Sequence, residues 1–354
     1  DRTFVALDKP AKEYKQGDIL TYGSYPQTRV TDSALIVKLN AQSGSWVSYG
    51  YYISSSKSNF MQYKDVTLDG AKYRAVKFSS YRPNYTGNSS SASNSYQDDN
   101  GYYTNTIYWF KYEPVKWRVL DASDQENLLV LSESILDSQA FHHTTSSTNG
   151  YYANNYAHSD IRAWLNGDFY NTTFSADEKT HIHTTTITNE ARHGSSQYDA
   201  ASTQDKVFLL SYKEALNADY GFGTSTDSSS TRYAQGSDYA KAQGLYVESS
   251  GGTAGNSWWR LRSAGDNSDG ACGVGNDGGV YYYYDVDSVG NGVRAAFKFN
   301  PISSNPIEEC EHSWKVTATQ AANCTTPGSQ TFECTKCGET KTETIPVNDD
   351  HDYS

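Results

Sequence analysis

Apolar residues alternate along much of this chain, and recur with helical spacing in only a few places. In Glu113–Leu120, Val115, Trp117 and Val119 fall on one face, the pattern of a half-buried strand. Leu128 to Leu131, reached through a polar turn, reads as its antiparallel partner. Val66 to Val76 forms two strands around Asp69-Gly70, a strong short hairpin signal. A short strand is expected over Gly17–Gly23, ending in Ser24–Thr28, and a continuous apolar strand over Val207–Leu210. Helical spacing puts Ile161, Trp164, Leu165 and Phe169 on one face of a helix from Asp160 to Tyr170, with Ser159 as N-cap. Ser175 and Glu178 have capping-box spacing for a second short helix. Ser211 to Glu214 caps a third, and Ser237 starts a fourth. Residues 43–64 fit neither period, and 84–105, rich in Ser, Asn, Gly and Tyr, reads as a long surface loop. Few helices, a mostly antiparallel sheet and long connections define an α+β class.

Composition changes this picture in two ways. Hydrophobic residues make up only 36% of the 354, so 30 tyrosines must supply much of the core and contact area. A net charge of -12 argues against nucleic acid and against an anionic membrane surface as partners. No apolar run approaches the roughly 20 residues that cross a bilayer, so no direct membrane insertion is expected. No signal peptide is visible at Asp1, and a mature or trimmed chain is expected. The divisions expected are a flexible leader (1–16), a large domain (17–300), a Pro/Asn/Ser linker (301–309) and a small Cys-rich module (310–354).

Trp258 to Phe299 stands apart from everything before it. Apolar, strand-forming ends bracket a middle of Asn, Asp, Ser, Gly and Tyr, which has too little apolar area to be core. Adaptable binding surfaces use this alphabet: Tyr gives stiff amphipathic area, and Asn, Ser and Gly give adjustable hydrogen bonds. Alternation places Val280, Tyr282, Tyr284 and Val286 on a core face, and Tyr281, Tyr283, Asp285 and Asp287 on an outer one. The candidate ligand-binding residues are Trp258, Asp266, Asn267, Asp269, Asn276, Asp277, Tyr281, Tyr283, Asp285, Asp287 and Asn291. Of Trp258 and Trp259, one is expected in the core and one at the rim. Arg294, opposite in parity to Val293 and Ala295, is expected to pair inside the sheet.

The ordered motifs Gly-Ser-Tyr-Pro-Gln-Thr (23–28), Glu-Pro-Val-Lys-Trp-Arg-Val-Leu (113–120), Ile-Arg-Ala-Trp-Leu-Asn (161–166), Val-Phe-Leu-Leu-Ser (207–211), Trp-Trp-Arg-Leu-Arg-Ser (258–263) and Gly-Val-Arg-Ala-Ala-Phe (292–297) resemble a surface module of gut and soil bacteria. The closing Gly-Gly-x-Val…Gly-Val-Arg pattern also resembles C-type-lectin-like folds, among them formylglycine-generating enzymes and retroelement-diversified variable proteins. The resemblance implies a C-type-lectin-like domain, secreted or on the bacterial cell surface, whose variable-type face at 266–291 binds a host or microbial glycan or protein. A formylglycine-generating-type enzyme and a non-binding stalk are the alternatives.

Chemistry beyond binding has little in its favour. The large domain holds one cysteine, Cys272, in a small-residue turn with no pairing partner nearby, which argues against an enzyme. The acids of 266–287 offer oxygens to calcium, but without EF-hand spacing, so loop acids are the favoured reading. His142, His143, His158, His181, His183 and His193 read as surface or helix-end residues without a metal-ligand spacing. In the tail, Cys324, Cys334-x-x-Cys337 and either His312 or His351 have zinc-ribbon-like spacing, with Cys310 nearby. The pattern resembles a short repeat found in tandem on bacterial surface proteins, so further copies are expected beyond Ser354. A module this small needs a staple: structural zinc is expected, with disulfides as the alternative.

Overall fold

The computed structural model describes residues 13–49, 61–82, 96–301, 313–323, 325–335 and 340–347. The chain forms two compact units, Asp1–Pro301 and Ile302–Ser354. In chain order the strands and helices of the first are β1 (Ile19–Arg29), α1 (Ser33–Asn40), β2 (Val47–Ser48), β3 (Met61–Leu68), β4 (Ala71–Phe78), α2 (Tyr96–Asp99), β5 (Tyr108–Asp121), β6 (Leu128–Ser132) and β7 (Asp137–Ser138). There follow α3 (Asp160–Trp164), α4 (Tyr170–Thr173), α5 (Ala176–His181), β8 (Thr185–Asn189), β9 (Ala200–Asp205), α6 (Asp238–Ala242), β10 (Trp259–Ala264), β11 (Gly270–Val274), β12 (Val280–Asp285), β13 (Gly292–Val293) and β14 (Ala296–Phe299). The class is α+β: mostly sheet, with few and short helices.

The larger sheet has the order β14-β6-β5-β4-β3-β2, and β1 also pairs with β5. β1 spans Phe110 to Arg118 of β5, overlapping both the β4 and the β6 pairings, so those two strands share the opposite edge. β3 and β4 pair from Met61↔Phe78 to Leu68↔Ala71, and Asp69 and Gly70 both take positive φ (50° and 79°), the two-residue turn the sequence implies. Val115, Trp117 and Val119 are fully buried, as their alternation requires. The Trp117 indole donates to the Tyr22 carbonyl at 2.7 Å and meets the Phe297 ring edge-on at 4.7 Å. The second sheet has the order β12-β11-β10-β13-β7, with β10 and β13 parallel and the other pairs antiparallel. One core joins the two sheets, because Trp117, Phe297, Trp259, Leu261 and Val293 belong to a single buried cluster.

The helix begun by Ser159, whose hydroxyl accepts from the Arg162 N–H, buries Ile161, Trp164, Leu165 and Phe169. It runs on through a π turn at Leu165–Phe169 into α4. Ser175 and Glu178 form the expected capping box at α5. Three expectations need correction. Val207–Leu210 is buried but makes only an isolated bridge, Phe208 with Ala296. Side chains take its backbone groups instead: Asn166 bonds the Lys206 N–H and the Val207 carbonyl, and Arg262 bonds the Leu209 carbonyl. Ser211 and Glu214 bond each other's backbone N–H groups, yet only a short 3₁₀ turn, Glu214–Leu216, follows. Asn217 is extended there, and its side-chain oxygen accepts the Asp219 N–H to begin a separate 3₁₀ turn, Ala218–Tyr220. Within the expected loop 84–105, Tyr96–Asp99 is helical and Gln97 and Tyr102 are buried; residues 83–95 lie outside the described ones.

Ile302–Ser354 contains a three-stranded antiparallel meander, β15 (Trp314–Gln320), β16 (Gly328–Cys334) and β17 (Thr340–Ile345).

Candidate binding face

Buried arginines hold the loops around the second sheet. Arg260, 1% exposed, donates to the Asp285 and Ser288 carbonyls at 2.8 and 2.6 Å. Arg232, fully buried, donates to the carbonyls of Gly223, Ser225, Asp227 and Gly278. Arg294 bonds the Ser132 and Glu133 carbonyls beneath the Trp259 ring, so its planar fork ties strand to strand as expected. Burial lowers the pKa of Arg260 and Arg294 to about 10, which still leaves both charged at neutral pH. Guanidinium groups that bond carbonyls fix irregular backbone without needing a carboxylate partner.

On this scaffold the aromatic side chains meet in a continuous belt. Trp258 stacks on Tyr246 with centroids 3.8 Å apart and planes 16° apart. Tyr96 meets both rings edge-on, at 5.3 Å from Tyr246 and 6.3 Å from Trp258. Trp258 continues to Tyr284 at 5.7 Å, and Tyr284 to Tyr283 and Tyr281 at 5.9 and 6.2 Å. Tyr283 is the most open of these, 59% exposed; the others are half-buried. Trp259 is fully buried and Trp258 lies at the rim, the division expected of the pair.

The strict alternation expected from Val280 onward fails at Tyr284. β12 pairs Tyr281 with Gly273 and Tyr284 with Ala271, so two residues, Tyr282 and Tyr283, oppose the single Cys272. This bulge carries Tyr284 beside Tyr281 and Trp258 rather than into the core with Val280. Gly273 makes room for it: a Cβ there would lie 2.6 Å from the Tyr284 ring and 3.0 Å from the Trp259 carbonyl. Tyr282 turns the other way, against the core and under the Arg192 guanidinium at 3.8 Å.

Polar groups along the belt are tied to one another. The Trp258 indole donates to Asn276 Oδ1 at 3.1 Å, and Asn276 Nδ2 donates to Glu248 Oε2 at 3.0 Å. The Tyr246 hydroxyl donates to the same Glu248 oxygen at 2.8 Å. The Tyr281 hydroxyl and Ser228 donate to Asp277 Oδ2 at 2.8 and 2.7 Å. Tyr281 is pushed up to about 12 by its hydrogen bond to Asp277 and then by burial, and Tyr246 to about 12 by burial and then Glu248, so both remain phenols. Glu248 is lowered, chiefly by the Tyr246 hydroxyl, and stays a carboxylate.

Trp258, Asn276, Asp277, Tyr281 and Tyr283 are thus brought together. The other candidates are not. Asp266 is engaged by Arg192 and Ser195, and the Asn267 carbonyl accepts from Asn154. Asp269 and Asp285 flank Val286, whose N–H bonds the Asp269 carbonyl; Asp285 is raised by burial and then by the neighbouring Asp287 and Asp269 charges. Asp287 and Asn291, expected on the outer face, are 2% and 1% exposed, because alternation ends with β12 and the chain turns inward at Val286. No three of these acids, all among the described residues, gather their oxygens within 4.8 Å of one another. Tyr96, Tyr246, Tyr284 and Glu248 are missing from the expected set. Leu245-Tyr246-Val247-Glu248, just upstream of Trp258, alternates and could have suggested the second and fourth.

Residues 125–301, half of the chain, match the family model described as Domain of unknown function (DUF6273). The chain belongs to this family. No curated protein and no solved structure matches it. The DUF6273 stretch holds β6 to β14 and every belt residue except Tyr96, while the strands before β6, which complete the larger sheet, lie outside it.

Elsewhere on the DUF6273 chain, Cys272 is buried and its thiol is pushed up to about 12 by burial, the opposite of an activated nucleophile. His183 bonds Asn127 and His158 stacks on Tyr151, as bland placements require. His142 and His143 depart from the surface reading: His142 is buried, and both approach Asp160. An open hollow of about 560 Å³ lies at the larger sheet, bordered by Gln27, Lys111, Glu113 and Lys116, and includes none of the belt residues. Among the described residues no helix is long and apolar enough to cross a membrane. Cys310, His312, Cys324, Cys337 and His351 lie outside the described residues, as does the side chain of Cys334, so the zinc set has no geometry here.

Proposed function

We propose that residues 17–300 form a C-type-lectin-like binding domain that captures a glycan, at the bacterial cell surface or after secretion, without chemistry on the ligand. The observation that carries this reading is the belt from Tyr96 through Tyr246, Trp258 and Tyr284 to Tyr283. Sugar rings present C–H faces to aromatic rings and hydroxyls to carboxylates and amides, and Glu248, Asn276 and Asp277 supply the latter beside the belt. Aromatic side chains fixed before binding lose little conformational entropy when the ligand arrives. The buried, protonated Cys272 gives a formylglycine-generating-type reaction no thiolate to work with. A plain stalk has no need of Tyr283 held open at the end of an aromatic series.

A glycan array probed with the full chain tests the reading. Tyr283→Ala and Trp258→Ala should each weaken any hit by at least roughly tenfold, the effect of removing a hot-spot aromatic. Tyr283 contributes little to the core, so its variant should unfold at the wild-type temperature. Hits that survive both substitutions would sink the belt as the site. Binding confined to host proteins, lost in the same variants, would keep the face and change the ligand class. Sequencing isolates tests the variable-type character: identical codons at 266–291 throughout would remove it.

A further inference from the structure

His142 and His143 are consecutive residues, which an extended strand would point to opposite faces. Here the chain bends between β7 and α3, and the two imidazole rings lie 4.4 Å apart at 53°. Asp160, at the first position of α3, faces both. Its Oδ2 lies 2.7 Å from His143 Nδ1 and 3.3 Å from His142 Nδ1, and it accepts the His143 backbone N–H at 2.7 Å. Among the described residues this is the set of His, Cys, Asp and Glu donors whose ligand atoms gather within 4.8 Å of one another.

We propose that His142, His143 and Asp160 form a binding site for a divalent transition-metal ion of the zinc type. A purely structural reading, in which Asp160 ties the 142–143 turn to the helix start, needs only His143. It leaves the buried Nδ1 of His142 without an aligned hydrogen bond, although Asp160 Oδ2 is 3.3 Å away. Two buried or half-buried imidazoles thus converge on one carboxylate oxygen, where tying the turn to the helix takes only one. Two imidazoles and one carboxylate suit zinc, nickel or copper rather than calcium or magnesium, which prefer oxygen throughout.

The spacing fits as well. Zinc bonds of about 2.0–2.1 Å in a tetrahedron place neighbouring donors about 3.3 Å apart. The His142–Asp160 pair already has that separation. The His143–Asp160 pair, now a hydrogen bond, widens by about half an ångström as its shared proton passes to solvent and the metal takes its place. The backbone is pinned on both sides: the N–H groups of Phe141 and His142 both donate to the Val286 carbonyl, and Ile161 N–H to the Phe141 carbonyl. The His143 side chain is 32% exposed and that of Asp160 24%, so an ion has a way in. Three protein donors leave a position open for water or a ligand atom, the arrangement of exchangeable rather than closed sites.

The test must separate this site from the tail cysteines. The metal-free full chain, carrying Cys310, Cys324, Cys334 and Cys337 all changed to Ser, is titrated with Co²⁺ and then Zn²⁺. The expected result is the visible d–d spectrum of a nitrogen/oxygen site, without the near-ultraviolet thiolate band, at one equivalent, bleached by zinc. His142→Ala and His143→Ala in that background should each abolish the spectrum, and Asp160→Asn should weaken zinc at least roughly tenfold. Far-ultraviolet circular dichroism checks that each variant is folded. Should the alanines unfold, His143→Gln, whose side-chain amide can still donate to Asp160, takes their place. A cobalt spectrum absent from the cysteine-free chain, or unchanged in folded histidine variants, overturns the site.

Discussion

Asp137 shows what burial does to a single carboxyl in a core built from tyrosine. It is 1% exposed, accepts from the Tyr25 hydroxyl at 2.7 Å and from the Ser138 N–H at 2.7 Å. Tyr25 meets the Tyr239 ring edge-on, and Tyr239 in turn bonds Tyr49 and Arg74. Burial raises Asp137 to about 6, outweighing the help its charge receives from Tyr25 and Arg82. The folded protein therefore keeps a proton that the unfolded chain releases near pH 4. Between about pH 4 and about pH 6 this group's contribution to stability falls as pH rises, by up to about 3 kcal/mol, and it is flat above that window. Asp137→Asn cannot ionise. Urea unfolding at several pH values should show the variant gaining on the wild type across that window and then running parallel. A constant difference from pH 4 to 7 would mean that Asp137 is charged in the native state at all of them, contrary to this account.

At the scale of elements, the features legible in the sequence were those whose cause is local. The Asp69-Gly70 turn, the Val115/Trp117/Val119 face, the Ser159 cap and the Ser175–Glu178 box each depend on neighbours a few residues apart, and each is present. Val207–Leu210 looked like a strand because nothing nearby reveals that Asn166 and Arg262 occupy its backbone groups. Alternation alone puts Tyr284 in the core, because the bulge that redirects it depends on pairing with β11. The same limit divides the binding face. Its Trp258 to Tyr283 part lies in one stretch and was visible; Tyr96 and Tyr246 arrive from other segments. The capping box also does more than its spacing implies. Glu178 accepts the Ser175 N–H through one oxygen at 2.8 Å and the Gly23 N–H of β1 through the other at 2.9 Å. Ser175→Ala should cost about 1 kcal/mol, the usual loss of an N-cap. Glu178→Ala should cost more, about 2 kcal/mol, because two backbone donors lose their acceptor. Denaturant midpoints measure both; equal losses would mean that the helix–strand bond adds nothing.

For the whole molecule, the two units solve the problem of a low apolar content differently. The first joins two sheets over a shared core and fills it with aromatic rings, among them Trp117, Trp259, Phe297 and Tyr239, and a smaller cluster gathers around Trp109 and Leu39. Among its described residues the second has no comparable interior. Along β15 every residue but Trp314 is exposed, and the contacts that stand out are Lys341 over the Trp314 and Phe332 rings, at 5.0 and 5.2 Å. Three strands with so little buried area need a covalent or metal staple to stay ordered. The Cys324, Cys334, Cys337 and His312 or His351 spacing points to zinc, and disulfides are the other staple four tail cysteines could make. Hydrogen exchange followed by mass spectrometry on the full chain distinguishes them in one experiment. With zinc, a chelator should release the amides of 314–345 to fast exchange while those of 17–300 stay protected, and a reductant without chelator should change nothing. With disulfides the two reagents exchange roles. Protection of 314–345 that survives both would mean that the meander holds itself together, and the argument from buried area would fail.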